Sequence, residues 1–84
     1  MVIVNVALTK DENMERNIFS YDSNGTLVWI IQEGPIKIPG RRDYYQDIWV
    51  ENGRLIAGNT IGYDYYVDLA TGEVTCKNPN ARPW

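Results

Sequence analysis

Nucleophilic side chains are few, and none has the partner that normally activates one. The sequence contains Ser20, Ser23 and a single cysteine, Cys76, but it has no histidine. A serine or cysteine nucleophile needs an adjacent base, and histidine is the usual base at neutral pH. The residues therefore argue against nucleophilic catalysis, and we expect that this protein is not an enzyme.

Carboxylates are the next candidates for chemistry. Asp64 and Asp68 lie on one face of a predicted strand, but four residues of strand separate their Cα atoms by about 13 Å. The paired acids of glycosidases hold their carboxyl groups within about 10 Å of each other. A cross-strand partner such as Glu73 or Asp47 stays an open alternative, while turn capping and solubility are the favoured roles of these acids.

The spacing of polar residues does not fit a calcium loop. Asp22, Asn24, Thr26 and Glu33 fall at positions one, three, five and twelve of a possible loop, whose sixth position must be glycine. That sixth position is Leu27. The sequence also lacks a glycine-rich phosphate loop before a helix and a cysteine zinc motif. We therefore expect no metal site and no cofactor.

The charge balance points away from nucleic acid and towards a basic protein. Eight basic and eleven acidic residues give a net charge of −3, with a pI near 4.7. Such a surface does not attract phosphates, but it does attract a basic partner. The apolar run after Met1 ends at Leu8, far short of the roughly 20 residues of a membrane span. With one cysteine and no stapling disulfide, we expect a soluble cytoplasmic protein that binds neither membrane nor nucleic acid.

Aromatic residues are the most informative excess, with six tyrosines, three tryptophans and one phenylalanine. Adjacent strand residues point to opposite faces, so Tyr65 and Tyr66 cannot both be internal. Tyrosine, tryptophan and arginine are also the residues that anchor protein interfaces. An Arg-Arg-Asp-Tyr-Tyr segment ends the longest irregular stretch, Glu33–Asp43. The candidate partner-binding residues are Arg41, Arg42, Asp43, Tyr44, Tyr45, Asp47, Trp49, Asp64, Tyr66 and Asp68.

Turn signals predict the elements that would position these residues. Asn24-Gly25 and Asn52-Gly53 are flanked by apolar runs, and Asn-Gly favours hairpins because both residues tolerate positive φ. Thr71-Gly72 closes a third turn, where Asp68 is placed to cap backbone amides. A β-branched strand, Val2–Leu8, precedes them. The three predicted hairpins pair Asn17–Asp22 with Thr26–Gln32, Tyr45–Val50 with Arg54–Asn59, and Gly62–Asp68 with Glu73–Lys77.

Two of the predicted strands differ in their faces. The segment 27–31 is apolar on both faces, which predicts a strand that is central or covered on both sides. The segment 62–69 alternates, which predicts a half-buried strand with a polar outer face. Its predicted inward residues are Tyr63, Tyr65, Val67 and Leu69. Helix signals are confined to Lys10–Arg16, which is compatible with a short helical turn, and the tail 78–84 carries no strand pattern.

The turn segments resemble a known repeat. Asp68 to Val74 reads Asp-x-x-Thr-Gly-x-Val, and Val50 to Gly58 reads Val-x-Asn-Gly-x-Leu-x-x-Gly. Over Ile18–Val74 these patterns resemble the blade repeats of β-propellers of the quinoprotein-dehydrogenase type. A propeller needs about four to eight four-stranded blades, and this chain holds strands for fewer than two. The resemblance therefore implies hairpin geometry, and it transfers no quinone site.

These observations predict a single all-β domain over residues 1–84. We expect a small antiparallel meander of about six to seven strands, arranged as one sheet, a sandwich or a half-barrel, with at most one short helical turn. By size and charge the chain is similar to small acidic immunity proteins. The favoured function is binding of another, basic protein, as in an immunity or antitoxin-like inhibitor. The alternatives are a structural module that self-assembles through an edge strand, and then a carbohydrate or other ligand-binding module.

Overall fold

The fold is built from strands. A computed structural model describes residues 1–6 and 15–77, and within these residues it contains seven strands and no helix. The predicted helical turn Lys10–Arg16 lies largely outside the described residues, as does the tail 78–84. None of the described segments forms a helix that could span a membrane. The strands are β1 (Val2–Asn5), β2 (Ile18–Tyr21), β3 (Leu27–Ile30), β4 (Tyr45–Glu51), β5 (Arg54–Asn59), β6 (Asp64–Val67) and β7 (Val74–Cys76).

The strands form two antiparallel sheets, and the predicted all-β class is confirmed. One sheet has the order β1-β2-β3, and the other has the order β4-β5-β6-β7. All three predicted hairpins are present, as the pairs β2–β3, β4–β5 and β6–β7. Every neighbour in each sheet is also a neighbour in sequence, so the chain is a meander, as the turn spacing predicts.

The two Asn-Gly turns differ in how they are closed. Asn52 and Gly53 both have positive φ, at 52° and 76°, as a two-residue hairpin turn requires. At the other turn, positive φ occurs at Gly25 and not at Asn24. There the Asp22 carboxylate accepts a hydrogen bond from the backbone N–H of Asn24 at 2.9 Å. Asn24 therefore does not use the positive φ that asparagine tolerates, and an acidic side chain helps to close that turn.

The third turn is also the point where one sheet docks on the other. The Asp68 carboxylate caps it by accepting from the N–H of Ala70 at 2.8 Å, as predicted. The Trp29 indole N–H, from β3, donates to the carbonyl of Leu69 at 2.8 Å. Gly72 has a φ of 77°, and a Cβ there would lie 2.8 Å from the Trp29 ring. A side chain at position 72 would therefore strain the backbone and push the two sheets apart.

Two predictions about strand burial are wrong. The apolar pattern of segment 27–31 predicts a strand that is central or covered on both sides, but β3 is an edge strand whose Leu27 and Val28 are 46% and 47% exposed. A register shift between Ser20 and Tyr21 bulges this edge and turns both side chains to the outside. Leu69 was expected on an inward face, but it lies beyond the end of β6 in the turn and is 45% exposed.

The two sheets share one hydrophobic core. The three-stranded sheet contributes Ile18, Trp29 and, just after β3, Ile31, all of which are buried. The other sheet contributes the tyrosines of its inner face, with the rings of Tyr45 and Tyr65 edge-to-face at 6.2 Å. Burial of two apolar sheet faces against each other is the main source of stability in a domain of this size.

Polar side chains bridge the sheets at both edges. The amide of Asn17, fully buried, accepts from the N–H of Tyr45 at 2.9 Å and donates to its carbonyl at 2.7 Å. It thereby replaces the backbone partner that the first residue of β4 lacks on that side. At the opposite edge, Gln32 donates its N–H to the Gly72 carbonyl and accepts from the N–H of Val74 through its side chain. The partners at each junction are far apart in sequence, and the sequence did not predict these contacts.

Candidate functional site

The outer face of the four-stranded sheet carries a row of large side chains. In the pairing register Trp49 lies opposite Ile56, which lies opposite Tyr66, which lies opposite Thr75. Side chains of register partners stand side by side on one face. Ile56 is fully buried although it is not part of the shared core, and Trp49 and Tyr66 are its register partners on either side. The outer face therefore has a small apolar centre with two half-buried aromatic rings.

A glycine allows the tryptophan to lie flat on the sheet. Gly58 pairs with Asp64 on β6 and with Asp47 on β4. A Cβ at position 58 would approach the Trp49 ring to 3.2 Å and the Asp64 carboxylate to 3.0 Å. The missing side chain thus makes room for both groups. Strand alternation and this one glycine together place an indole and a carboxylate side by side.

An arginine stacks on the tyrosine of the central row. The guanidinium carbon of Arg54 lies 3.6 Å from the centroid of the Tyr66 ring, within the range of a cation–π contact. The stacked pair borders an open cleft of about 190 Å³. Asp68 and Glu73 supply two carboxylates at the same cleft, and Thr75 supplies a hydroxyl. This end of the face offers carboxylate acceptors around an ordered aromatic ring.

An ion pair spans the face from one side to the other. Lys77, just beyond β7, donates to the carboxylate of Glu51, the last residue of β4, at 2.6 Å. This hydrogen bond lowers the pKa of Glu51 and raises the pKa of Lys77. Both groups are open to water, so the pair contributes little to stability.

The charges on this face are predominantly negative. We use the name "acidic face" for the outer face of the four-stranded sheet, with Trp49 and Tyr66 at its centre. Among the described residues its five carboxylates outnumber its two cations, Arg54 and Lys77. The carboxylates are Asp47, Glu51, Asp64, Asp68 and Glu73.

Half of the predicted partner-binding residues meet on the acidic face. The alternation of β4 and β6 brings together Asp47, Trp49, Asp64, Tyr66 and Asp68, which the sequence could place only strand by strand. The face also includes Arg54, Glu51 and Ile56, which were missed. A signal for the first two was available, since Glu51 and Arg54 flank the Asn52-Gly53 turn and must pair across it.

The other half of the predicted residues lies elsewhere, and two of them are not accessible. Asp43 is 3% exposed and Tyr45 is 2% exposed, so the prediction that they form part of a contact surface is wrong. The Tyr45 hydroxyl donates to the carbonyl of Gln32 at 2.8 Å. Burial raises the pKa of Tyr45 far above its usual value. These two side chains hold the core and the long loop together.

The buried carboxylate of Asp43 organises the loop before β4. It accepts from Lys37 Nζ at 3.0 Å and from the Asn59 side chain at 2.8 Å. Asn59 in turn accepts from the N–H of Tyr63 at 2.8 Å. Lys37 also donates to Glu15 at 2.8 Å. Burial lowers the pKa of Lys37, but its hydrogen bonds to Glu15 and Asp43 outweigh this effect, and the pKa of Lys37 is raised. The same hydrogen bond to Lys37 lowers the pKa of Glu15. The network is structural.

The remaining predicted residues lie in the same loop. Arg42 stacks over the ring of Tyr44 at 4.9 Å, and Arg41 is exposed. This pair resembles the Arg54–Tyr66 pair in kind, but it lies outside the acidic face. In the described part of the chain, no three acidic or cysteine side chains come close enough together to hold a metal ion.

Comparison with known proteins gives a family but no activity. Residues 1–78 match a family model that is described as a domain of unknown function, DUF7957. No curated protein matches the chain, and no solved structure matches it.

Proposed function

The chain belongs to the DUF7957 family, and we propose that it is a protein-binding module whose acidic face docks on a basic surface of another protein. One observation carries the proposal. The strand register places Trp49 and Tyr66, over the buried Ile56, inside a rim of carboxylates. This arrangement has the composition of a protein-binding hot spot, in which aromatic anchors are surrounded by polar groups.

The centre of the face suits the burial of a partner. Trp49 and Tyr66 are already ordered against the sheet, so docking costs them little conformational entropy. The Arg54 guanidinium above Tyr66 has planar donors for a carbonyl or carboxylate of the partner. Aromatic and arginine anchors of this kind typically account for most of the binding energy in an interface.

The rim favours a positively charged partner. The carboxylates of the acidic face match the net charge of −3 of the whole chain in sign. Charge complementarity of this type raises the association rate and disfavours partners of like charge. The most specific form of the proposal is an immunity or antitoxin-like inhibitor that covers the basic active surface of a toxin or nuclease, as the size and charge of the chain suggest.

Carbohydrate binding is less well supported by the same face. A sugar stacks on the open surface of an aromatic ring, but Arg54 already covers one side of Tyr66 at 3.6 Å. The cleft beside it is open, and acidic groups line it. A basic side chain fits this site better than a neutral sugar ring does.

The test compares two tyrosines that each lie beneath an arginine. The basic partner is captured from host extract on the wild-type chain, and its affinity is measured for Tyr66→Ala and for Tyr44→Ala. We expect Tyr66→Ala to weaken binding about 30-fold, the effect of losing a central anchor worth about 2 kcal/mol. Tyr44→Ala is the matched control, because Tyr44 has the same stacking contact outside the acidic face.

Other outcomes count against the proposal. If Tyr44→Ala weakens binding and Tyr66→Ala does not, the contact surface is the Arg41–Tyr45 loop. If neither variant changes the affinity, or the captured protein is acidic, the acidic face is not the docking surface. Circular dichroism of both variants checks that each one remains folded.

A further inference from the structure

We propose that a second copy of this chain docks on the outer face of the three-stranded sheet, forming a two-fold dimer. This inference concerns a different surface from the acidic face, and it does not depend on the proposed function. We call this surface the "apolar face". Its residues are Val2, Val4, Phe19, Tyr21, Leu27, Val28 and Ile30.

The register defines the apolar face. Ile3, Ser20 and Trp29 form the row that points into the core. The rows on either side of it point outward. One row consists of Val4, Phe19 and Ile30, and the other consists of Val2, Tyr21 and Leu27. Val28 lies in the bulge between those two rows. The outward side of the sheet is thus as apolar as a sheet face that is normally buried.

This face leaves several large apolar side chains exposed side by side. Val2 is 57% exposed, Val4 is 41% exposed, and Leu27 and Val28 are almost half exposed. Together the seven side chains present an apolar patch on the order of 500 Å², near the upper end of what monomers leave uncovered. Covering this patch is a hydrophobic gain that the four-stranded sheet cannot supply, because it packs on the other side.

Charge selects a second copy as the occupant. Among the described residues the apolar face has no ionisable carboxylate, lysine or arginine, while the acidic face is on the other sheet. An acidic chain repels copies of itself wherever its carboxylates meet, but two apolar faces can stack without bringing those charges together. A two-fold contact joins identical patches, so an uncharged apolar patch is complementary to itself.

Area sets the expected strength of the dimer. Two such patches bury on the order of 1,000 Å² in total, which is typical of weak interfaces and lies below the roughly 1,200 Å² at which stable ones begin. We therefore expect a dimer that dissociates in the micromolar range. Face-to-face stacking is favoured over pairing through an edge strand, because stacking is the arrangement that removes the apolar face from water. In this dimer both acidic faces point outward and stay free.

The experiment measures self-association of the full chain. Sedimentation equilibrium is run from about 1 to 200 μM, a range that brackets micromolar dissociation, on the wild type, Val28→Lys and Val50→Lys. We expect the wild type to dimerise, Val28→Lys to stay monomeric and Val50→Lys to dimerise like the wild type. Val50 is the matched control, since it is 70% exposed on β4 of the other sheet.

A second measurement needs no variant. In methyl NMR spectra of the wild type, the signals of Val2, Val4 and Val28 should shift with protein concentration, while those of Val50 should stay constant. A wild type that is monomeric throughout overturns the proposal, as does a dimer that Val50→Lys breaks and Val28→Lys does not. A chain that dimerises only after removal of residues 78–84 also overturns it, because that tail is then the occupant of the apolar face.

Discussion

The tripeptide Asp-Tyr-Tyr occurs twice, at residues 43–45 and 64–66, and the two copies face in opposite directions. In the first, the outer members Asp43 and Tyr45 are buried and Tyr44 is half-buried. In the second, the middle member Tyr65 is buried, while Asp64 and Tyr66 lie on the acidic face.

The difference between the two tripeptides comes from their neighbours. A lysine and an asparagine compensate the buried carboxylate of Asp43. The second carboxylate has space at the surface because Gly58 is opposite. The same tripeptide therefore has its aspartate in a buried hydrogen-bond network in one place and on the outer face of a sheet in the other. Whether each side chain is buried or lies on the surface depends on the strand alternation and on partners distant in sequence.

The largest expected effect separates the two aspartates. Asp43→Ala leaves the Asn59 amide and Lys37 without their shared carboxylate, and we expect a loss of about 3 kcal/mol in the free energy of unfolding. Asp64→Ala removes a group at the surface and should cost well under 1 kcal/mol. Urea denaturation of both variants measures the difference. Equal losses would show that the buried network is not structural.

The next effect concerns the charge of the acidic face. Asp64→Lys should slow association with the basic partner about tenfold at low salt, and the effect should fade as salt screens it. Glu33→Lys is the matched control, because it changes the net charge by the same amount at an exposed residue outside the acidic face. Stopped-flow association rates decide the matter, and identical rates for the two variants would refute a role for this particular face.

A smaller effect separates the two buried tyrosines. Tyr45→Phe removes the hydrogen bond to Gln32 and should cost about 1 kcal/mol of stability. Tyr65→Phe should be nearly neutral, because the Tyr65 hydroxyl is buried with no hydrogen-bond partner among the described residues. Burial raises the pKa of Tyr65 to about 12. Thermal unfolding of the two variants measures both losses of stability. A larger loss for Tyr65→Phe than for Tyr45→Phe would contradict this assignment.

The smallest effect is on pH dependence. Hydrogen bonding to Lys37 lowers the pKa of Glu15 below its ordinary value of 4.5, so the folded state favours the ionised form. This stabilisation is present above pH 4.5 and is lost as the pH falls through the lowered value. Between pH 5 and 3 the wild type should therefore lose more stability than Glu15→Gln, as measured by urea denaturation at each pH. Parallel curves would contradict this assignment.

The sequence predicts local structure well and long-range partners poorly. The three hairpins follow from Asn24-Gly25, Asn52-Gly53 and Thr71-Gly72, because turn chemistry and strand alternation are local properties. Alternation also assigns Asp64 and Tyr66 to one face. By contrast, the inward orientation of Asp43 depends on Lys37 and Asn59, and no pattern within the loop encodes these contacts.

The hydrogen bonds that join the two sheets could not be predicted from the sequence either. Asn17 bonds to Tyr45 across 28 positions, and an isolated asparagine before a strand gives no indication of such a partner. The edge position of β3 was missed for a similar reason. An apolar strand indicates covered faces, but periodicity does not show where that strand lies in its sheet.

Site-specific photo-crosslinking shows whether the acidic face contacts another protein. A photoreactive phenylalanine analogue replaces Tyr66 in one chain and Tyr44 in another, and both chains are irradiated in host extract. We expect position 66 to crosslink one defined protein rich in lysine and arginine. The product should disappear at high salt, and position 44 should not crosslink that protein. A product from position 44 alone, or none from position 66, would contradict the proposal.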